Sequence, residues 1–298
     1  MTTEIPARVA VLMTCFNRSE STVRCIDALG EQTTESPRSL QIFLVDDASG
    51  DGTADAVRHR FPAVTVIDGN GNLYWNGGMR VAFAEASKME FDYFLWLNDD
   101  TILEPDALDT VLNAAADLKA RGVAAIVTGS TRDCQSGKLT YGGWKMRKGI
   151  LKRTMERVPP ATDHVRECQT MNGNCTLIPR EALERVGILD PGFTHSFADF
   201  DYGFRAHKAG VRIFVAPGFT GTCSENPVAG TWRDTSIPLA KRWRHLTSPK
   251  GSPFGDWFLY CRRHLGPGWP LYMLSPYLKT VVSGTVSSLK RAFGASNC

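Results

Sequence analysis

The first hundred residues alternate short apolar runs with amphipathic segments, and this alternation constrains the fold more than any other feature. The apolar runs are rich in β-branched and aromatic residues, and in chain order they are RVAVLMTCF, LQIFLV, VTVI and YFLWL. Strands that alternate with helices predict βαβ units, and strands that are apolar throughout predict a sheet covered on both faces. We therefore expect an α/β fold with a mainly parallel central sheet flanked by helices.

The remainder of the chain shows no obvious domain boundary before residue 230. Helical and strand-like segments are mixed over residues 106–230, and no Ser-, Gly- or Pro-rich linker separates them from the first part. We expect one domain over residues 1–230, with halves at 1–105 and 106–230, followed by a partly helical extension over 231–298.

Basic residues are concentrated in this extension. From Trp232 to Cys298 ten Lys and Arg stand against two Asp and Glu, a net charge of +8, so the preceding residues carry −5 within the total of +3. Such a segment favours phosphate groups, an anionic membrane surface or nucleic acid, although a solvated helical face explains it equally well. No nucleic-acid motif accompanies the charge, and we expect no nucleic-acid partner. The basic residues that could hold a diphosphate or an anionic leaflet include Arg242, Arg244, Lys250, Arg262 and Arg263.

The cysteines and the apolar segments predict a cytoplasmic chain. Eight cysteines show neither a CxxC pair nor zinc-ligand spacing, which is typical of reduced thiols. We find no leader-like segment and no run of about 18 apolar residues. The segment WPLYMLSPYLKTVV is apolar and aromatic, but Pro270, Pro276 and Lys279 interrupt the apolar run. It could lie peripherally on a membrane surface, or on a partner, without crossing a bilayer.

Polar residues follow three of the predicted strands at the points where the strands end. The first strand ends in the stretch TCFNR, the second in Asp46 and Asp47, and the fourth in Asn98, Asp99 and Asp100. In sheets of this kind, ligands bind beyond the carboxyl ends of the strands. Three polar ends at one edge therefore predict a binding site.

The adjacent carboxylates Asp99 and Asp100 repel each other and lose hydration when partly buried, so a positive partner is expected. Mg²⁺ or Mn²⁺ takes one or two carboxylates and completes its shell with phosphate oxygens and water, which suits a nucleoside diphosphate. Alternatively, these residues cap the next element. Asp47 has a similar ambiguity, because its carboxylate could accept from a base or ribose, or could close an Asx-turn.

The segment FADFDYGFRAHKAG predicts a helix in which Asp201 and Arg205 pair at positions i and i+4. Asp199 lies at the start of this helix, where the helix dipole stabilises a carboxylate, and it is left outside that pair. Asp199 could therefore act as a base, or it could be a plain N-cap.

In their order along the chain, these segments resemble the family 2 glycosyltransferases, whose nucleotide-diphospho-sugar-binding fold is called GT-A. The resemblance covers residues 9–217 and is carried by TCFNR, VDDASGDGT, NDDT, MNGNCTLIPREALERVGILDPGF and ADFDYGFRAHKAG. GNLYWNGGM resembles a rhamnosyltransferase-like subgroup of bacterial surface-polysaccharide synthesis. The resemblance implies transfer of a sugar from a UDP-, dTDP- or GDP-linked donor to a hydroxyl of a glycan or lipid-linked acceptor, with Mg²⁺ or Mn²⁺ as cofactor. It makes 1–105 the donor half and 106–230 the acceptor half.

The resemblance also implies roles for single residues. It assigns donor binding to Thr14, Phe16, Asp47 and Asp99, metal binding to Asp100 and the catalytic base to Asp199. We also expect donor contacts from Asn17, Arg80 and Asn98, and acceptor contacts from His195 and Asp201, which lie close to Asp199 in the sequence. Alternatively, His195 is a surface residue of a turn. One catalytic base and one metal site that neutralises the leaving diphosphate imply a single displacement, which inverts the configuration of the anomeric carbon.

The chain departs from the family pattern at several positions. Asn98 stands where many relatives have Asp, Ala198 replaces an acidic residue before the base, and Arg80 stands where an Asn is often found. Arg80 could instead reach a phosphate. Cys223 lies where many relatives carry a His, and since a thiol suits a hard ion poorly we do not expect it to bind the metal.

Three other classes of protein fit less well. A nicotinamide-dependent oxidoreductase is disfavoured because Tyr74 stands where the third glycine of a GxGxxG motif belongs. A nucleotidyltransferase should carry a Gly-rich basic loop after the first strand, which TCFNRSES lacks. A non-catalytic nucleotide-sugar-binding or scaffold protein would keep the fold and lose the base, so Asp199 argues against it.

Overall fold

A computed structural model describes residues 6–33, 38–148 and 153–294. Its helices are α1 (Ser19–Gly30), α2 (Thr53–Arg60), α3 (Tyr74–Ala86), α4 (Ala107–Ala120), α5 (Arg180–Val186), α6 (Ala198–Lys208), α7 (Leu239–Thr247), α8 (Phe254–His264) and α9 (Trp269–Gly294). Its strands are β1 (Ala7–Cys15), β2 (Arg38–Asp46), β3 (Thr65–Asp68), β4 (Tyr93–Leu97), β5 (Ile102–Leu103), β6 (Ala125–Thr128), β7 (Thr131–Arg132), β8 (Leu139–Tyr141), β9 (Gly143–Lys148), β10 (Arg153–Val158), β11 (Arg166–Cys168), β12 (Thr170–Met171), β13 (Cys175–Pro179), β14 (Arg212–Val215) and β15 (Gly221–Thr222).

Eight strands form the central sheet in the order β11-β14-β6-β13-β4-β1-β2-β3. Strand β1 lies between β2 and β4 and runs parallel to both, and β3 extends this parallel group beside β2. Strand β13 runs antiparallel to β4 and β6, and it joins the group to the parallel pair of β6 and β14. The predicted α/β fold with a mainly parallel sheet flanked by helices is confirmed.

The central strand β4 is apolar throughout because helices cover the sheet on both of its faces. Leu95 of β4 packs with Leu29 of α1 and Val111 of α4 in one buried cluster. Successive side chains of a strand point to opposite faces, and the next residue, Trp96, meets Phe83 of α3 with ring centroids 6.2 Å apart. Burial of apolar surface on each face stabilises the sheet by roughly 25 cal/mol per Å².

The register of the sheet places the polar strand ends together. Cys15 at the end of β1 pairs with Asp46 at the end of β2, and Leu12 of β1 pairs with Trp96 near the end of β4. Because these three neighbours are parallel, the residues that follow them emerge at the same edge of the sheet.

Two smaller sheets contain the remaining strands, one of β10, β9 and β12 and one of β5, β15, β7 and β8. By their contacts, the residues divide into two compact units. The first unit is Met1–Pro191 with Ala198–Glu225, and the second is Gly192–Phe197 with Asn226–Cys298. The domain limit at residue 230 stays a prediction.

Helices α7, α8 and α9 belong to the second unit. The segment WPLYMLSPYLKTVV lies wholly within α9, so its prolines interrupt the apolar run without ending the helix. Pro270 is in the first turn, where a missing N–H removes no intrahelical bond, whereas Pro276 lies in the interior. No helix among the described residues is long and apolar enough to cross a membrane.

Candidate active site

Arg18 supplies the positive charge that the two adjacent carboxylates after β4 require. Its Nη1 donates to Asp99 Oδ1 at 3.1 Å and to Asp100 Oδ2 at 2.7 Å. Asp99 is 6% exposed, and burial raises its pKa to about 7 although the guanidinium of Arg18 acts in the opposite direction. The sequence predicted a cation for this pair without singling out Arg18.

Asp100 is the more accessible carboxylate of the pair, with its side chain 36% exposed. Its Oδ1 accepts from the Cys223 thiol at 3.5 Å. Burial, and then the negative charge of Asp100, raises the pKa of Cys223 to about 12, so the thiol stays protonated and acts as a donor. A protonated thiol is a poor ligand for a hard cation.

The residues after β4 fit a divalent cation that is shared with a diphosphate. Carboxylate oxygens are hard ligands, and Asp100 offers them at the surface. Over residues 6–33, 38–148 and 153–294, no group of three or more His, Cys, Asp and Glu is arranged to hold a metal. The remaining lone pairs of Asp100 Oδ1 and Oδ2 would be available to the ion while Arg18 keeps its bond to Oδ2.

The loops after β1 and β2 are fastened to each other by Asn17. Its φ is +52°, its Oδ1 accepts from the Gly50 N–H at 2.7 Å, and its own N–H donates to Ser49 Oγ at 2.8 Å. Thr14 is buried, whereas Phe16 is 49% exposed. An exposed aromatic ring at this edge suits stacking on a base, so Phe16 stays a predicted donor contact. The bonds of Asn17 serve the loop itself.

Asp47 organises the loop that leads into α3. Its Oδ1 accepts from the Gly71 N–H at 2.8 Å and its Oδ2 accepts from the Tyr74 N–H at 2.9 Å. The residue is only 4% exposed. Both oxygens thus already hold backbone groups of the protein, and the predicted contact of Asp47 with a base or ribose would have to use their remaining lone pairs.

Trp75 connects this loop to the end of β4. Its Nε1 donates to Asn98 Oδ1 at 2.8 Å, and its ring meets Trp96 edge-on with centroids 6.0 Å apart. Gly173 lies directly against the ring, because a Cβ at this position would be 2.4 Å from Trp75 Cζ2. The side chain of Asn98, predicted to bind the donor, is therefore engaged by Trp75.

We expect Gly173→Ala to destabilise the protein and to weaken donor binding together. The added Cβ would collide with Trp75, which cannot retreat without giving up its bond to Asn98. Overpacking of this kind lowers the free energy of unfolding by about 1–3 kcal/mol, which urea denaturation would measure. Gly30→Ala is the matched control, because no atom lies within 4 Å of a Cβ there. Equal stability of the two variants would contradict a close fit at Gly173.

Arg80, another predicted donor contact, fastens α3 to the segment after α5. Its Nε donates to the Leu189 carbonyl at 3.2 Å, and Asn76 on the same helix donates to the Asp190 carbonyl at 2.9 Å. Leu189 itself is buried. These bonds explain both polar side chains as attachments of α3, and a phosphate contact by Arg80 stays a prediction.

Asp199 lies in the first turn of α6, as predicted. Its Oδ1 accepts from the Phe200 N–H at 2.8 Å, and its Oδ2 accepts from Asn172 Nδ2 at 3.4 Å. Burial raises its pKa to about 6, against the lowering effect of these hydrogen bonds. Asn172 is itself oriented by Trp144, whose Nε1 donates to Asn172 Oδ1 at 2.7 Å. Asp199 is thus a fixed carboxylate with an elevated proton affinity.

The two predicted acceptor contacts are placed differently by the structure. Asp201 is fully buried, and its Oδ2 accepts from Arg205 Nε at 2.8 Å, which confirms the predicted pair. A buried, paired carboxylate cannot meet an acceptor from solvent, so the structure assigns Asp201 to the core instead. His195 belongs to the segment Gly192–Phe197 of the second unit, and its acceptor contact stays a prediction.

The stretch MNGN before β13 connects the end of β4 to Asp199. Asn172 donates to Asp199, while the Asn174 carbonyl accepts from the Asn98 N–H at 3.3 Å. Asn174 Nδ2 also donates to Thr101 Oγ1 at 3.3 Å. The antiparallel pairing of β13 with β4 makes these contacts possible. Sequence reasoning missed both asparagines, although two polar residues directly before a buried strand were a usable signal.

Comparisons with known proteins identify the family of the chain. Residues 6–262 match the family described as "Glycosyltransferase like family 2". The N-acetylglucosaminyl-diphospho-decaprenol L-rhamnosyltransferase of Mycobacterium tuberculosis is 25% identical, with 72% of this chain and 81% of the relative covered. Two solved structures share the fold at lower identity.

The mannosyltransferase PcManGT of Pyrobaculum calidifontis, in complex with GDP-Man and Mn²⁺, has a TM-score of 0.54 at 20% identity, with 99% of this chain and 77% of that chain covered. TarS 1–349 of S. aureus, in complex with UDP-GlcNAc, has a TM-score of 0.57 at 14% identity. The match covers 87% of this chain and 67% of the TarS chain. These neighbours confirm the predicted GT-A fold. Because the family match spans most of the chain, the protein belongs to the glycosyltransferase-like family 2 and is a glycosyltransferase.

Proposed function

We propose that the protein is an inverting, metal-dependent glycosyltransferase that moves a sugar from a nucleoside-diphosphate sugar to a hydroxyl of a lipid-linked glycan acceptor. The observation that carries the proposal is that the segment 172–174 hydrogen-bonds to two carboxylate sites, since Asn172 donates to Asp199 and Asn174 donates to Thr101, the residue after Asp100. The two sites differ in their partners. Asp199 accepts from the neutral donors of Phe200 and Asn172, whereas Asp99 and Asp100 share the guanidinium of Arg18. One site suits proton abstraction and the other suits a diphosphate.

The names of the relatives support the substrate classes. The structural neighbours are complexes with GDP-Man and with UDP-GlcNAc, which are both nucleoside-diphosphate sugars. The Mycobacterium tuberculosis relative is named for an acceptor in which a sugar is linked through diphosphate to decaprenol. We therefore propose that the donor of this chain is a nucleoside-diphosphate sugar and that its acceptor is a sugar linked through diphosphate to a lipid. We also propose that the reaction belongs to surface-polysaccharide synthesis.

Asp199 would take the proton of the acceptor hydroxyl. With a pKa of about 6 the carboxylate is ionised at neutral pH and is a stronger base than an ordinary Asp. The acceptor oxygen forms a bond to the anomeric carbon while the bond from that carbon to the diphosphate oxygen breaks. The diphosphate leaves with the electron pair, and the proton moves to Asp199. A single displacement of this kind inverts the configuration of the anomeric carbon.

Arg18 and Asp100 would act on the leaving group. The guanidinium of Arg18 bridges Asp99 and Asp100 and presents a permanent positive charge next to the predicted diphosphate site. Asp100, with Asp99 beside it, would hold a divalent cation, which when bound supplies further positive charge to the diphosphate. Buried Asp99 would mainly fix the position of Arg18.

A panel of nucleoside-diphosphate sugars tests the proposal by thermal shift in the presence of Mn²⁺. We expect one donor to raise the melting temperature, because a ligand at about 100 times its Kd stabilises the native state by about 2.7 kcal/mol. Nuclear magnetic resonance of the product made from that donor should show an inverted anomeric centre. Absence of a shift with every donor would favour the non-catalytic scaffold, and retention would exclude the single displacement.

A further inference from the structure

Helix α9 carries a continuous stripe of exposed apolar side chains. We call it the α9 stripe, and it consists of Leu271, Leu274, Leu278, Val281 and Val282. Its first three members are 79%, 52% and 58% exposed. At about 100° of rotation per residue the five side chains fall within an arc of roughly 100°, so they form one face of the helix.

The opposite side of α9 is the side that packs. Met273 and Thr280 are 5% and 1% exposed. A Cβ at Gly284 would lie 2.7 Å from Leu239 Cδ1 of α7, so the two helices are in close contact there. The α9 stripe therefore does not belong to the core of the second unit.

Exposed apolar side chains are concentrated around this stripe. Seven of the eleven large exposed apolar side chains of the described residues lie between positions 243 and 282. Five of these seven form the α9 stripe, and the other two are Trp243 and Phe254, which are 41% and 65% exposed. Both rings contact Tyr277 of α9, with centroids 5.9 and 6.4 Å away. A patch of aromatic and aliphatic side chains marks a surface that is covered in use, and Trp and Tyr favour membrane interfaces.

The same part of the chain carries unpaired basic side chains. The exposed ones are Arg233, Lys241, Arg244, Lys250, Arg262 and Lys279, and none of them forms an ion pair within the described residues. Arg233 and Lys279 line one shallow depression together with Leu278 and Val282. Positive charge therefore lies directly at the edge of the α9 stripe.

Arg242 does not belong to this basic surface, although the sequence grouped it there. It is 3% exposed, its Nε donates to the Trp232 carbonyl at 2.9 Å, and its Nη2 donates to Ser283 Oγ at 2.9 Å. Arg242 therefore fastens α7 to α9 inside the second unit.

We propose that the α9 stripe, with Arg233 and Lys279 at its edge, docks on an anionic lipid bilayer surface. An amphipathic helix with an apolar face and a cationic border inserts its apolar side chains at the level of the headgroups. The positive charge of the exposed basic side chains complements anionic lipid. A symmetric dimer through the same face would bring two such charges together, which like-charge repulsion disfavours. The inference deepens the proposed function, because it brings the enzyme to the surface where a lipid-linked acceptor is found.

Vesicle sedimentation of the full chain tests the proposal without donor or acceptor. We expect the protein to pellet with phosphatidylcholine vesicles that contain phosphatidylglycerol, and to pellet far less with phosphatidylcholine alone. The double variant Leu274→Glu, Leu278→Glu should lower the partition coefficient at least about tenfold, because two apolar contacts are replaced by anionic side chains. Both side chains are exposed, so folding should be unaffected, which circular dichroism would verify.

Met89→Glu is the matched control, because Met89 is an exposed apolar residue of the first unit and should leave sedimentation unchanged. The proposal is overturned if the wild type stays in the supernatant with anionic vesicles or if the double variant binds as the wild type does. It is also overturned if light scattering shows a dimer that the double variant dissociates. The donor-dependent thermal shift is measured separately. A protein that shows this shift but does not bind vesicles would contradict the docking proposal and leave the proposed function standing.

Discussion

Asp199→Asn should abolish sugar transfer while donor affinity stays nearly unchanged. The amide is almost isosteric, and it keeps one oxygen to accept from the Phe200 N–H, but it cannot take a proton from an acceptor hydroxyl. Loss of a general base typically lowers the rate by about 10²–10⁴-fold. Transfer assays would measure the rate, and calorimetric titration of the donor would measure affinity. The fold should tolerate the change, because the substitution removes a desolvated charge.

The pH dependence of the wild type offers a second check on Asp199. Burial raises its pKa to about 6, so the carboxylate is ionised above that pH and protonated below it. A base must be unprotonated to act, so kcat/KM should fall as the pH drops through about 6. An ordinary Asp would keep its activity down to roughly pH 4.

Asp163→Asn is a suitable control for the Asp199 substitution. The side chain of Asp163 is 82% exposed, and it accepts from the neighbouring His164. Substitution of this residue should leave transfer and its pH profile as in the wild type. Normal turnover by Asp199→Asn, beside a normal control, would show that another group removes the proton.

The donor edge of the sheet could be predicted because it follows from local patterns. Apolar runs predict buried strands, strands alternating with helices predict parallel pairing, and parallel pairing brings strand ends to one edge. Asp46 and Asn98 were therefore located by topology alone. The pair of Asp201 with Arg205 followed from helical spacing, since residues i and i+4 are neighbours on a helix surface.

Contacts between distant segments could not be predicted in this way. Arg18 reaches Asp99 across 81 positions of sequence, and Asn172 reaches Asp199 across 27 positions. No local spacing encodes either contact. The same limitation explains Asp47, because a carboxylate after a strand can bind a ligand or the N–H groups of a loop. Only the position of the 71–74 backbone shows that the N–H groups of the loop bind both carboxylate oxygens of Asp47.

Burial was a further property that local patterns did not supply. The acceptor contact predicted for Asp201 requires an accessible carboxylate, whereas this side chain is fully buried against Arg205. Similarly, Arg242 counts as basic in the sequence but is an internal hydrogen-bond donor in the structure. Charged residues are rarely buried without partners, and in both residues the partner accounts for the burial.

Asp100→Ala should remove the effect of Mn²⁺ on donor affinity. Asp100 is the exposed member of the carboxylate pair, whereas Asp99 is buried and held by Arg18. We expect Mn²⁺ to tighten donor binding to the wild type by about an order of magnitude, because Asp100 would hold the ion and the ion would supply positive charge to the diphosphate. Calorimetric titrations with Mn²⁺ and with a chelator would give the two affinities. The variant should show one weak affinity under both conditions.

Asp55→Ala is the control for Asp100→Ala, because its side chain is 91% exposed on α2 and its ion pair with Arg58 is a surface contact. It should keep the full effect of Mn²⁺. If Asp100→Ala also keeps that effect, the ion is held elsewhere. If the wild type binds its donor equally well with the chelator, Arg18 alone neutralises the diphosphate. That outcome would overturn the proposed metal dependence and would leave Arg18, whose guanidinium donates to both carboxylates, as the positive charge at the site.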